Sequence, residues 1–229
     1  MSFSTKDKEN LLARYNSRYS NYGYSPFSLG WDKGKQEIRF SLLLSLFELK
    51  TKSFLDVGCG FGDLNKFLLA HTTNYSYLGI DLVDKFLLEG QKRYKKESIV
   101  FQKGEFLETM FNNSFDYIIA SGIFNYKLEG DNYQFIDSCL KKAFDLCDEG
   151  IAFDFLSDQV DYKLEDTFHA SPMRILEIAY SLSRNVVLRN DYMPFEFCVI
   201  IFKDDSFDQK DTVFCRQKKN RELSNNNNI

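Results

Sequence analysis

The sequence predicts an α/β protein: a doubly wound, mostly parallel seven-stranded sheet that closes with a C-terminal antiparallel hairpin and is preceded by an N-terminal helical and loop cap. Three observations carry that expectation. Short apolar runs alternate with segments of helical period along most of the chain, the pattern of βαβ units. The stretch Phe54-Leu55-Asp56-Val57-Gly58-Cys59-Gly60-Phe61-Gly62-Asp63-Leu64 runs from an apolar strand straight into a helix through three glycines at alternate positions. Near the end, the strand-like runs 185–190 and 195–202 are joined only by Asp191-Tyr192-Met193-Pro194, a connection too short for anything but an antiparallel pair.

In chain order, residues 6–22 are polar and aromatic, with Leu11, Leu12, Tyr15 and Tyr19 at helical spacing. The loop from Tyr22 to Trp31 holds glycine, proline, aromatics and the chain's one tryptophan. It reads equally as a hydrophobic plug or as a lid over a ligand. Residues 36–49 predict a helix lying on the sheet through Ile38, Phe40, Leu42, Leu43, Leu46 and Phe47. Within it Arg39 is either a surface residue or a partner for a ligand carboxylate, which a guanidinium matches geometrically.

The glycine turn then presents Gly58 and Gly60, which can take positive φ and let a ligand approach the main chain. The turn opens the helix 63–70, whose N-terminal N–H groups suit a carboxylate, and His71 reads as that helix's C-terminal cap. The second strand, 75–81, ends in Asp81, 25 residues beyond Asp56 and followed by Leu82. That is near the spacing at which nucleotide-binding α/β folds place a ribose-binding acid. A helix over 84–96 leads to a third strand, 99–103, and to Gly104-Glu105-Phe106. The fourth strand starts at Phe115 and exits through Ser121-Gly122-Ile123-Phe124-Asn125, at a carboxyl end where such sheets bind ligands. A helix over 133–147, a strand over 151–156, a polar stretch over 157–171 with His169, and a helix over 172–182 precede the hairpin.

Composition narrows the function classes. With 44% hydrophobic and 27% charged residues the chain is an ordinary globular protein, and 229 residues suffice for one α/β core. A net charge of -4 gives no strong nucleic-acid signal. Five cysteines without C-x-x-C spacing and only two histidines suggest neither a disulfide framework nor a metal site. No run is long enough to span a membrane, and the first residues lack a signal-peptide core, so a cytoplasmic protein is expected. The expected division is a cap or lid over 1–35, a binding domain over 36–204, and a polar, mobile tail over 205–229.

With Leu55-Asp56-Val57-Gly58-Cys59-Gly60-Phe61-Gly62, Asp81, Gly104-Glu105-Phe106 and Phe115-Asp116-Tyr117-Ile118 in hand, residues 36–203 resemble the class I methyltransferases that use S-adenosylmethionine. More narrowly, Gly23 to Trp31, Ala120 to Asn125 and Arg189 to Pro194 look like a small bacterial subgroup of undefined acceptor. The resemblance implies a donor site built from Arg39, Asp56, Gly58, Cys59, Gly60, Asp81, Leu82, Gly104, Glu105, Phe106, Ser121 and Gly122. Asp56 would meet the methionine ammonium, Asp81 the ribose, Glu105 and Phe106 the adenine, and Ser121 and Gly122 the methyl side. Acceptor-site candidates are Tyr24, Trp31, Asn125, Asp191 and Glu196, with His169 and Tyr192 in catalytic roles. The expected reaction is O- or N-methylation of a small-molecule or sugar-containing acceptor by a monomer or homodimer. An RNA or protein methyltransferase and a non-catalytic binder of the same cofactor are the alternatives.

Overall fold

The computed structural model describes residues 3–31 and 35–204. The expected tail, 205–229, lies outside them. Among the described residues, seven strands form a single sheet, β1 (Lys52–Val57), β2 (Tyr75–Asp81), β3 (Ile99–Lys103), β4 (Phe115–Ala120), β5 (Cys147–Leu156), β6 (Val186–Arg189) and β7 (Glu196–Phe202). Their order is β3-β2-β1-β4-β5-β7-β6. The pairs from β3 to β5 are parallel, while β7 lies antiparallel to both β5 and β6. Strand order reverses at β1, running to β2 and β3 on one side and to β4 and β5 on the other, so the crevice between the ends of β1 and β4 is the switch point where ligands bind in such sheets.

Strand alternation divides the core between two faces. Leu55, Val57, Ile118 and Ala120 face one side, where α5 (Asn132–Leu146) packs Phe135, Ile136 and Leu140 and α6 (Pro172–Leu182) packs Ile175 and Ala179. Phe54, Tyr77, Tyr117 and Ile119 face the other. There α2 (Gln36–Leu44) contributes Phe40 and Leu43, α3 (Leu64–His71) Leu64 and Leu68, and α4 (Asp84–Arg93) Leu87. Both faces are covered, which is why β4 reads as an unbroken apolar run rather than an alternating one.

Three boundaries differ from expectation. Helix α2 stops at Leu44 rather than 49, and α4 at Arg93 rather than 96. Strand β5 begins at Cys147 instead of 151, directly after α5, so Gly150 is a strand residue and not a turn. A Cβ at Gly150 would lie 2.9 Å from Ile201 O, so this glycine lets β7 approach β5. The N-terminal segment forms α1 (Thr5–Tyr22), capped by Ser4, whose Oγ accepts from Asp7 N. Its Leu12, Tyr15 and Tyr19 pack with Leu29 on Phe61, Val83 and Phe86, laying α1 across the carboxyl ends of β1 and β2.

Candidate functional site

A cavity opens under α1 at the carboxyl ends of β1, β2 and β4. Its empty space is about 1150 Å³, the open mouth and adjoining solvent included. Asp56, Gly58, Cys59, Gly60, Asp81, Leu82, Gly104, Glu105, Phe106, Ser121 and Gly122 all line it, and so does Trp31 from the cap. From Trp31 to Gly122 these positions span 92 residues of sequence, and the parallel topology makes them neighbours.

The glycine turn works by shape rather than by offering donors. Gly58 N and Cys59 N donate to Ile80 O at 2.8 and 3.1 Å, and Gly60 N donates to Asp81 Oδ2 at 2.8 Å. The expectation of free N–H groups on this turn is therefore corrected for these three residues. Gly58 and Gly60 instead hold φ of 67° and 55°, conformations that a side chain would strain. A Cβ on Gly60 would come within 2.9 Å of Leu29, so the turn leaves space only for what glycine leaves open.

Asp81 holds the turn in place. Its Oδ1 accepts from Val83 N at 2.8 Å and its Oδ2 from Gly60 N, and the carboxylate lines the cavity. Asp56 is buried and accepts from the Tyr77 hydroxyl at 2.7 Å. Burial pushes its carboxyl up to about 7, against the opposing hydrogen bond from Tyr77. Because the folded value exceeds the unfolded one, the native state binds the extra proton between about pH 4 and 7. Stability from this group is thus full at acid pH and lost as pH rises through 7. A shift of this size corresponds to roughly 3 kcal/mol lost between pH 5 and 8. Denaturant melts of Asp56→Asn should lack that share of the wild-type pH dependence; identical slopes in the two proteins would refute the account.

Glu105 lines the cavity, yet its carboxylate is tied to the cap. Oε1 accepts from Phe3 N at 2.9 Å, and Oε2 lies 2.5 Å from Lys8 Nζ. Lys8 also pairs with Glu108, and Lys6 with Glu129. Glu105 is thus an anchor of α1, a role that sequence spacing did not reveal.

Asp154, in β5, is a site residue that the sequence reading missed. It is buried, accepts from Ser121 Oγ at 2.5 Å and from Gly122 N at 2.6 Å, and so fixes the β4 exit. Burial pushes it up to about 6, with Glu196 adding to the rise and Arg39 opposing it. The available signal was an acid inside the apolar run Ile151-Ala152-Phe153-Asp154-Phe155-Leu156. Gly122 has φ 77°, and a Cβ there would meet Trp31 Cζ2 at 2.5 Å. Gly122→Ala should therefore displace the indole. Trp31 is the single tryptophan, so its emission should shift to the red; an unchanged spectrum would mean that the ring does not rest on this glycine.

Arg39 is corrected outright. It is 5% exposed and does not line the cavity. Its Nε donates to Glu196 Oε2 at 2.6 Å and a second nitrogen pairs with Oε1, a bidentate clasp between α2 and β7. The guanidinium carbon also sits 4.0 Å from the Trp31 ring centroid. Glu196 is accordingly a structural partner rather than a wall of the cavity.

The remaining acceptor-site candidates also lie off the cavity. The Tyr24 hydroxyl donates to Asp63 Oδ1 at 2.7 Å, and its ring carries Arg93 at 3.3 Å. Asp191 is exposed in the hairpin turn and clasps Arg189. The Tyr192 hydroxyl is buried without a hydrogen-bond partner. Burial raises its pKa far above the ordinary phenol value, so it keeps its proton and is no base. His169 Nδ1 is 2.8 Å from Ser157 O; a carbonyl only accepts, so the proton is on Nδ1 and the lone pair on a buried, unpartnered Nε2. Asn125 comes nearest, its Nδ2 3.7 Å from where a Gly122 Cβ would be, with a buried and unpartnered Oδ1.

Residues 54–145 match the family described as a methyltransferase domain. Over that stretch the chain is similar to a methyltransferase domain. Its seven-stranded sheet with the antiparallel β7 is that of the class I enzymes, whose methyl donor is S-adenosylmethionine. A Mycobacterium tuberculosis (strain ATCC 25618 / H37Rv) protein named "Putative methyltransferase Rv1506c" is 26% identical over 158 residues, 66% of this chain and 93% of that protein. Among solved structures, magnesium protoporphyrin IX methyltransferase from Synechocystis PCC 6803 with bound SAM superposes with a TM-score of 0.64 at 14% identity, covering 89% of this chain and 100% of that one. The N-methyltransferase NodS from Bradyrhizobium japonicum WM9, in complex with S-adenosyl-L-homocysteine (SAH), gives 0.63 at 16% identity, covering 82% and 97%. Those two likenesses bear on the fold. Among the described residues no helix is long and apolar enough to cross a membrane.

Proposed function

We propose that this methyltransferase holds S-adenosylmethionine in the cavity under α1 and transfers its methyl group to a small molecule bound beyond Gly122. The observation that carries the reading is the placement of Asp81, the glycine turn, Glu105 with Phe106, and Ser121 with Gly122 on one cavity wall. The donor supplies a methyl group on a sulfonium, already activated toward displacement. What remains for the protein is positioning and exclusion of water.

The residues fit that task. Asp81 offers its carboxylate, in the cavity lining, to a pair of ribose hydroxyls, which only an acceptor-rich group can serve together. Phe106 and Leu107 supply apolar surface for a base. Asp56, once ionised, faces the amino-acid end with a negative charge. Donor affinity should therefore improve as pH rises through about 7, the opposite sign to its effect on stability. The cap shields the chamber through Leu12, Tyr15 and Leu29. Gln36, at the start of α2, is the neutral amide available to the donor's carboxylate in place of Arg39. A cytoplasmic setting agrees with four cysteines that are free among the described residues.

Calorimetric titration with SAH tests the reading. Saturable binding at micromolar concentration is expected, with SAH formed from S-adenosylmethionine when a cell metabolite extract is added. No binding would remove the donor assignment, and binding without turnover would leave a cofactor-binding protein only.

A further inference from the structure

The walls of the cavity beyond the donor end carry information about the acceptor. Among the described residues, the charged side chains lining the cavity are all acids, namely Asp56, Asp81 and Glu105. Lys8 neutralises Glu105 from outside the lining, which leaves two carboxylates facing one monocationic donor. Groups that could have welcomed an anion at the methyl end are already committed. Gly122 N and Ser121 Oγ both donate to Asp154, and Arg39 is clasped by Glu196 beneath Trp31. The surface left is Leu29, Trp31, Phe40, Ile123 and Tyr126, apolar and largely aromatic.

We propose that the acceptor is a molecule without carboxylate or phosphate groups, presenting an apolar ring to Trp31 and Ile123. The inference rests on the methyltransferase reading of the same cavity. An anion entering this chamber would lose its hydration and meet no cation among the described lining residues, where the side-chain donors left are neutral, among them the Gln36 amide assigned to the methyl donor and the Tyr126 hydroxyl. That cost exceeds what the apolar contacts return. A neutral or cationic ring meets no such penalty, and an aromatic face suits a cation as well as it suits another ring.

The test uses the full chain saturated with SAH, so that no reaction occurs and binding alone is read. Three probes share one skeleton and differ in charge: tryptophol is neutral, tryptamine cationic and indole-3-acetate anionic. Calorimetry should find tryptophol or tryptamine binding at least tenfold more tightly than the acid. Equal or tighter binding of indole-3-acetate overturns the proposal, and so does failure of all three to bind the SAH-loaded chain at millimolar concentration. Failure of SAH itself to bind is a separate result, which removes the donor reading instead. As an internal control, Glu196→Gln should release the Arg39 charge and narrow the gap between the acid and the neutral probe. An unchanged gap in a folded variant would contradict the claim that the clasp silences that cation.

Discussion

Replacing Asp81 with alanine is expected to weaken SAH binding by about 100-fold or more while leaving the fold in place. Two terms add. The ligand loses a carboxylate acceptor for a pair of hydroxyls, and hydrogen bonds to a charged group are worth roughly 1.5–3 kcal/mol each. The protein also loses the acceptor of Gly60 N and Val83 N, so the glycine turn is no longer pinned to the end of β2. Asp81→Asn separates the terms, because an amide oxygen can still accept one of these bonds and should recover part of the affinity. Calorimetric Kd values set beside thermal melts decide the matter. A loss under tenfold, or a loss matched by collapse of the melting transition, would reject Asp81 as a ligand-binding acid.

The second large effect is structural. Glu196→Ala should cost about 3–5 kcal/mol, because it strands the Arg39 guanidinium in a buried site without its carboxylate. For a domain of this size that is roughly a 10 °C fall in melting temperature. Removing both partners, as in Arg39→Met with Glu196→Leu, should recover most of the loss, since desolvating an ion pair returns little over good apolar packing. Thermal and denaturant unfolding of the two singles and the double give the coupling directly. Additive losses would show that the clasp is not what each residue contributes. Trp31 emission adds an independent readout, because the indole rests on the same guanidinium.

The residues that line the cavity at the strand ends were legible in the sequence because their logic is local. An apolar run, a glycine turn and a helix start are consecutive, and acids at strand ends recur once per βα unit. Asp56, Asp81 and Ser121 could therefore be placed before any strand was paired. The acceptor end was not legible, because its geometry depends on partners far apart in the chain. Arg39 and Glu196 are 157 positions apart, and no spacing rule joins them. Asp154 hid inside an apolar strand whose register against β7 sets it beside Cys198, two pairs from Leu156 opposite Glu196. Tyr192 and His169 looked like chemistry because of their residue types. Their surroundings, a buried unpaired hydroxyl and a ring held by Ser157 O, were invisible until the hairpin and the polar stretch had folded back. Helix α1 was expected only as a weak helix, and its tie through Lys8 to Glu105 crosses nearly 100 residues.

The antiparallel β7 bears on how such a protein can change over time. Because β7 is inserted between β5 and β6, the last strand among the described residues underpins the floor beneath Trp31 and the β4 exit. The proposed donor contacts come from Gln36 and from residues 56–122, whereas that floor is supported by Asp154 and Glu196. The buttress beneath the proposed acceptor wall is thus encoded later in the chain than the proposed donor contacts. Substitutions along β5 and β7 can reshape what is methylated while the grip on the cofactor is inherited unaltered. A lineage built on this plan can diversify its acceptors without relearning its donor.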